Sequence, residues 1–169
     1  MRDCLVAGLA ACLVLLGSCS GSLNQGGERP DGVLAALADP EQVELLALHP
    51  YPHQLEGGED GLELFHEYGV LGRAELEDGV GGNELLALIE QGIEESNGMV
   101  AACFNPRHGL RVAADGSTWE LLICYECLSM QVYRDGERVE GHRTAESVEP
   151  QVSAIYRAAG LDIHRNDGD

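Results

Sequence analysis

Two short segments hold most of the residues that could do chemistry. Cys103-Phe104-Asn105-Pro106-Arg107-His108-Gly109 precedes an Asp115-Gly116 pair, and Cys124-Tyr125-Glu126-Cys127 follows it. Three thiols and one imidazole make a complete tetrahedral set for zinc, and Cys124-x-x-Cys127 has zinc-ligand spacing. The candidate metal ligands are therefore Cys103, His108, Cys124 and Cys127, and the candidate cofactor is zinc. A disulfide between Cys103 and Cys127 is a second use of the same residues. A reactive thiol, its pKa lowered by His108 or Arg107, is a third. The plainest alternative is that one or two of the cysteines are small core residues. Arg107, in an extended segment after Pro106, could meet an anion. In so acidic a chain an ion pair with Glu120 or Glu126 is the preferred reading.

Strand geometry bears on these alternatives. Asp115-Gly116 is a strong hairpin signal. With a three-residue loop there, facing positions sum to about 230, which sets Cys103 against Cys127 and His108 against Leu122, with Cys124 a diagonal neighbour of His108. A two-residue loop would instead turn Cys103 toward Leu128. Residues three apart on a regular strand point to opposite faces, so Cys124 and Cys127 share a metal only across a bulge or bend. No Gly-rich phosphate loop, metalloprotease His pair or Gly-x-Ser-x-Gly elbow is present, and His49, His53, His66 and His142 have no usable mutual spacing.

The two segments resemble an uncharacterised bacterial family whose members carry CF-x-PRHG followed by C-[FY]-E-C. The resemblance runs from roughly Glu41 to Ile163 and is strongest at Ala101 to Val112 and Glu120 to Tyr133. It implies a domain boundary and singles out these residues without naming a reaction.

A second resemblance lies at the N-terminus. Met1-Arg2-Asp3 is followed by an apolar run from Cys4 to Leu16, too short to span a bilayer as a helix. Such a layout belongs to a secretory signal peptide. Leu16-Gly17-Ser18-Cys19 resembles the lipobox of bacterial lipoproteins. The resemblance implies cleavage before Cys19, a diacylglycerol on its thiol and a fatty acid such as palmitate on the new amine. Two or three acyl chains hold a protein at a membrane far better than one. Ser20 after Cys19 points to the outer membrane if the cell is Gram-negative, and otherwise to the surface of the cell membrane. The Gly/Ser-rich stretch from Ser20 to Asp31 reads as a flexible linker.

Of 169 residues, 29 are Asp or Glu and 10 are Lys or Arg, for a net charge of −19. Removing residues 1–18 takes one Arg and one Asp and leaves that charge unchanged. Such a surface repels nucleic acid. The acids are scattered and match no EF-hand loop, the nearest stretch being Asp78 to Glu84. With the signal gone and Cys19 lipidated, three cysteines remain, an odd number in an oxidising compartment where a disulfide is permitted.

The elements that must position the cluster follow from pattern. Val33 to Ala38 is a short apolar stretch, and the period of Val43 to Leu48 does not separate strand from helix. Gln54 to Gly61 is a polar loop, and Leu62 to Leu76 forms one or two short strands. Glu84 to Glu95 is a helix, capped by Asn83, with Leu85, Leu86, Ile89 and Ile93 in one stripe. A β region runs from Met99 to Val112 and returns from Trp119 to Tyr133, long enough to bend or to be two strands. Asp135-Gly136 turns it into a third strand at Glu137 to Val139. A last helix spans Pro150 to Ala159 and stops at Gly160. The expected class is α+β: an antiparallel sheet with a long β-hairpin, covered by at least two helices. The expected division is a signal peptide at 1–18, a linker at 19–31, one domain at 32–163 and a polar tail at 164–169. The functional expectation is a membrane-anchored lipoprotein of the cell envelope with a non-catalytic binding or structural domain. The alternative is a zinc or thiol enzyme using the cysteine–histidine cluster. The only partner implied is the membrane, and the sequence names no protein or small-molecule ligand.

Overall fold

The computed structural model describes residues 33–52, 61–76 and 81–163. The signal peptide, Cys19, the linker, His53, the 54–60 loop, Asp78 and the tail from residue 164 lie outside the described residues. The protein is α+β. Seven antiparallel strands form one sheet in the order β2-β3-β1-β4-β5-β6-β7. They are β1 (Gln42–Pro52), β2 (Leu64–Phe65), β3 (Tyr68–Leu76), β4 (His108–Ala114), β5 (Ser117–Cys124), β6 (Ser129–Arg134) and β7 (Glu137–Arg143). The helices are α1 (Val33–Leu37), α2 (Gly82–Glu94) and α3 (Glu149–Ala158), the last preceded by a 3₁₀ turn at Glu146–Val148. No helix among the described residues is long and apolar enough to cross a membrane.

Residues Val43 to Leu48 are a central strand, which explains their uninformative period. β1 pairs with β3 on one side and β4 on the other. Val43, Leu45 and Ala47 join the main core under the helices, while Leu46 and Leu48 join a smaller core on the opposite face with Phe65, Tyr68 and Leu122. A strand covered on both faces reads as a continuous apolar run.

Two turns fix the meander that follows. Asp115 and Gly116 both have positive φ, as do Asp135 and Gly136, the requirement of a two-residue type I′ hairpin whose twist matches its strands. The expected three-residue loop is thus corrected. Ala114 pairs with Ser117, and His108 faces Ile123 where Leu122 was expected. The Trp119 to Tyr133 stretch is two strands, β5 and β6, separated by a turn over Tyr125 to Leu128, and β7 extends four residues past the expected Val139 to Arg143.

Helix α2 begins two residues before the expected start. Its N-cap is Gly81, in the left-handed region with no side-chain cap, so Asn83 lies within the first turn. The stripe holds: Leu85, Leu86 and Ile89 are buried. Helix α3 carries Pro150 in its first turn, where a missing N–H costs nothing, and buries Val152, Ser153 and Tyr156.

Candidate functional site

The segment from Met99 to Arg107 has no regular structure and crosses beside the β5–β6 turn as a strap. Its placement is built from contacts between the two cysteine-bearing segments. Cys103 and Cys127 are joined as a disulfide, with Cα atoms 5.8 Å apart. Neither sits in a strand, so the pairing arises from the strap meeting the turn and not from hairpin register. Ala101 N donates to Cys127 O at 3.1 Å, and Tyr68 Oη donates to Phe104 O at 3.0 Å. Arg107 Nη1 donates to Glu126 Oε2 at 2.9 Å. Glu120, the other carboxylate expected for Arg107, is taken by Arg111 and His66.

Cys124 is a free, buried thiol. Cys127 N donates to its Sγ at 3.2 Å, and the Asn105 backbone N–H also points at it. Burial pushes the Cys124 thiol up, and these two backbone donors offset only part of that effect. The sulfur is therefore held as a protonated acceptor capping a tight turn, opposite to the thiolate that nucleophilic chemistry requires.

His108 lies on the other side of the sheet. It pairs with Ile123, whose side chain is in the main core, whereas Cys124, the next residue on β5, faces away. The expected His108–Cys124 contact is corrected accordingly. The His108 ring sits at 2.9 Å from Ser153 Oγ on α3 and packs edge-on against Tyr125 and Tyr156. Burial, with the charges of Arg107 and Arg157, pushes its pKa down to about 3, so it is neutral. The four-residue zinc set does not assemble: two of its thiols are bonded to each other, and the imidazole and third thiol are on opposite faces. Among the described residues no group of three or more His, Cys, Asp and Glu is placed to hold a metal ion.

Two other residues of the first motif, Phe104 and Gly109, have packing roles. Phe104 lies edge-on to Tyr68 and packs against the smaller core. Gly109 lets strands β1 and β4 carry their leucines close: a Cβ there would stand 3.0 Å from Leu48 Cδ1 and 3.2 Å from Leu46 Cβ. The Gly109 carbonyl accepts from Tyr156 Oη at 2.6 Å.

The face away from the helices carries a charged network that the sequence reading did not find. Arg111 donates to Glu44 at 2.7 Å and to Glu120 at 3.0 Å, and Arg73 contacts both Glu44 and Glu63. His66 Nε2 lies 3.0 Å from Glu120 Oε2, though out of line for a well-formed hydrogen bond, and its ring stacks on Tyr133 with centroids 3.7 Å apart. His66 and Arg111 hold the Glu120 carboxyl below the ordinary carboxylate range, against the effect of burial. The signal was present in the pairing of Arg111 with Glu120 across the hairpin, but required the two-residue turn. His66 could not be found by spacing, because it occupies a positive-φ turn between β2 and β3.

Comparison with known proteins finds no matching family model, no matching curated protein and no matching solved structure. Function is thus argued from these residues alone.

Proposed function

We propose that this chain is a lipoprotein of the bacterial cell envelope whose folded domain is a non-catalytic binding module held rigid by the strap. The observation that carries the non-catalytic part is the mutual pairing of the two motifs. Cys103 bonds Cys127, the Asn105 N–H meets Cys124, Arg107 pairs with Glu126, and His108 packs on Tyr125. Residues spent on one another in this way fix two pieces of chain and leave no nucleophile–base pair. A disulfide closing a 24-residue separation contributes about 3 kcal/mol in the chain-entropy account.

The anchoring part rests on Leu16-Gly17-Ser18-Cys19 and on the Gly/Ser-rich stretch after it. A disulfide agrees with an oxidising compartment outside the cytoplasm. Ser20 favours the outer membrane in a Gram-negative cell. In a bacterium, the wild-type chain should partition into detergent and yield an acylated peptide beginning at Cys19. Cys19→Ala should accumulate as uncleaved precursor without lipid. Recovery of wild type with an unmodified Cys19 thiol would end this part of the proposal.

One observation favours a thiol reading as the alternative: the free Cys124 lies beside a disulfide and accepts backbone N–H groups. Its burial and raised pKa weigh against it.

A further inference from the structure

We infer that a cleft between the strap and β6–β7 is a binding site for a small oxyanion, a carboxylate or phosphate carried on a short apolar body. The inference gives the binding module a ligand class and rests on that reading, though not on the lipid anchor. The cleft has a volume of about 380 Å³, within the range that takes small molecules. Among the described residues no Asp or Glu lines it.

Two arginines line it, Arg138 and Arg143. Among the described residues, neither guanidinium has a hydrogen bond or ion pair, whereas Arg73, Arg107, Arg111 and Arg134 each contact a carboxylate. Two exposed arginines on one cleft, each without a carboxylate partner among the described residues, set it apart from the paired arginines elsewhere.

Strand geometry brings them together. The β6–β7 register shifts between Val132 and Tyr133, so that Val132 opposes Glu140 while Tyr133 opposes Arg138. The extra residue, Val139, is a bulge. Without it positions 138 and 141, three apart, would face opposite sides of the sheet; with it both face the cleft. Gly141 has no side chain, and Arg138 lies across it, Nη2 being 3.5 Å from where a Cβ would stand. Arg143, two residues further along, shares that face, and opposes Ser129. The Arg138 guanidinium thereby reaches the Gly141 position, two residues from Arg143 on the same face. Both arginines line the cleft without a carboxylate partner among the described residues, and an anion there can take charged hydrogen bonds from them. Ser129 adds a hydroxyl donor. The side-chain Oε1 of Gln131 accepts from Tyr133 Oη at 2.9 Å, which leaves the side-chain NH₂ to donate. Phe104 and Val100 supply the apolar wall, and the Cys103 disulfide fixes that wall in place.

The test is titration of the purified full-length protein, followed by NMR or calorimetry, with hexanoate, butyl phosphate and the neutral hexanamide. The assay does not depend on the state of Cys19. Saturable binding of hexanoate, butyl phosphate or both, and none of hexanamide, is expected, and the tighter anion identifies the head group. Arg138→Gln or Arg143→Gln should weaken binding at least about tenfold, the usual effect of losing a charged hydrogen bond. Gly141→Val, compatible with a strand, should weaken binding by displacing Arg138 without lowering the thermal midpoint. Arg134→Gln should bind as wild type. No saturable binding of either anion, or affinity unchanged by both arginine substitutions, would overturn the inference and leave the anchoring proposal to its own test.

Discussion

His108 shows how a residue type that suggests chemistry can be spent on structure. Its ring is buried between Tyr125, Tyr156 and Ser153, and its pKa falls from an ordinary value near 6.5 to about 3. Because the folded value is depressed, its contribution to stability is fully present above pH 6.5 and is lost as pH falls toward 3, where the unfolded chain takes up a proton that the folded one refuses. Glu120, also depressed, loses its contribution only within and below the ordinary carboxylate range, so it leaves the pH 5 to 6.5 interval to the histidine. Glu149 is raised by burial and has the opposite sign, which makes comparison with a variant necessary. Urea unfolding of wild type should show falling stability from pH 6.5 to 5, and His108→Gln should flatten that slope. An equal slope in both proteins would mean that the imidazole titrates freely and is not buried as described.

At the scale of elements, the hydrophobic and turn patterns were enough for α2, α3 and the two Asp-Gly hairpins of the β4–β7 meander. They do not place the β5–β6 turn, and Met99 to Arg107, expected to be β, is an irregular strap. The same patterns were enough for the α+β class as well, because Asp-Gly turns and three- and four-residue stripes are local signals. What the sequence hid was non-local. The Cys103–Cys127 pairing was expected from a hairpin register that does not exist, since neither residue is in a strand. The His108–Cys124 proximity failed because one residue of loop length moves every side chain to the other face. The role of Gly109 was invisible until β1 lay beside β4. That role makes a prediction: Gly109→Ala should destabilise by about 1–3 kcal/mol through overpacking, although alanine in a strand is ordinarily no worse than glycine. The Cβ would press on Leu46 Cβ, which cannot move without its backbone. Thermal unfolding that is unchanged or improved in Gly109→Ala would contradict the close approach of these strands.

For the whole molecule, the three cysteine environments express one account: Cys19, proposed to be held by lipid, Cys103 and Cys127 tying the strap to the β5–β6 turn, and Cys124 buried as a thiol. The sequence's net charge of −19 supports the proposal that nucleic acid is not a partner. A single measurement reads all three cysteine environments. The full-length protein is isolated from the envelope of an expressing bacterium, alkylated before and after unfolding, and mapped by non-reducing peptide mass. The account predicts an acylated peptide starting at Cys19, a Cys103 peptide linked to a Cys127 peptide, and Cys124 alkylated only after unfolding. Three free domain thiols retaining stoichiometric zinc, or Cys124 alkylated in the native protein, would contradict it.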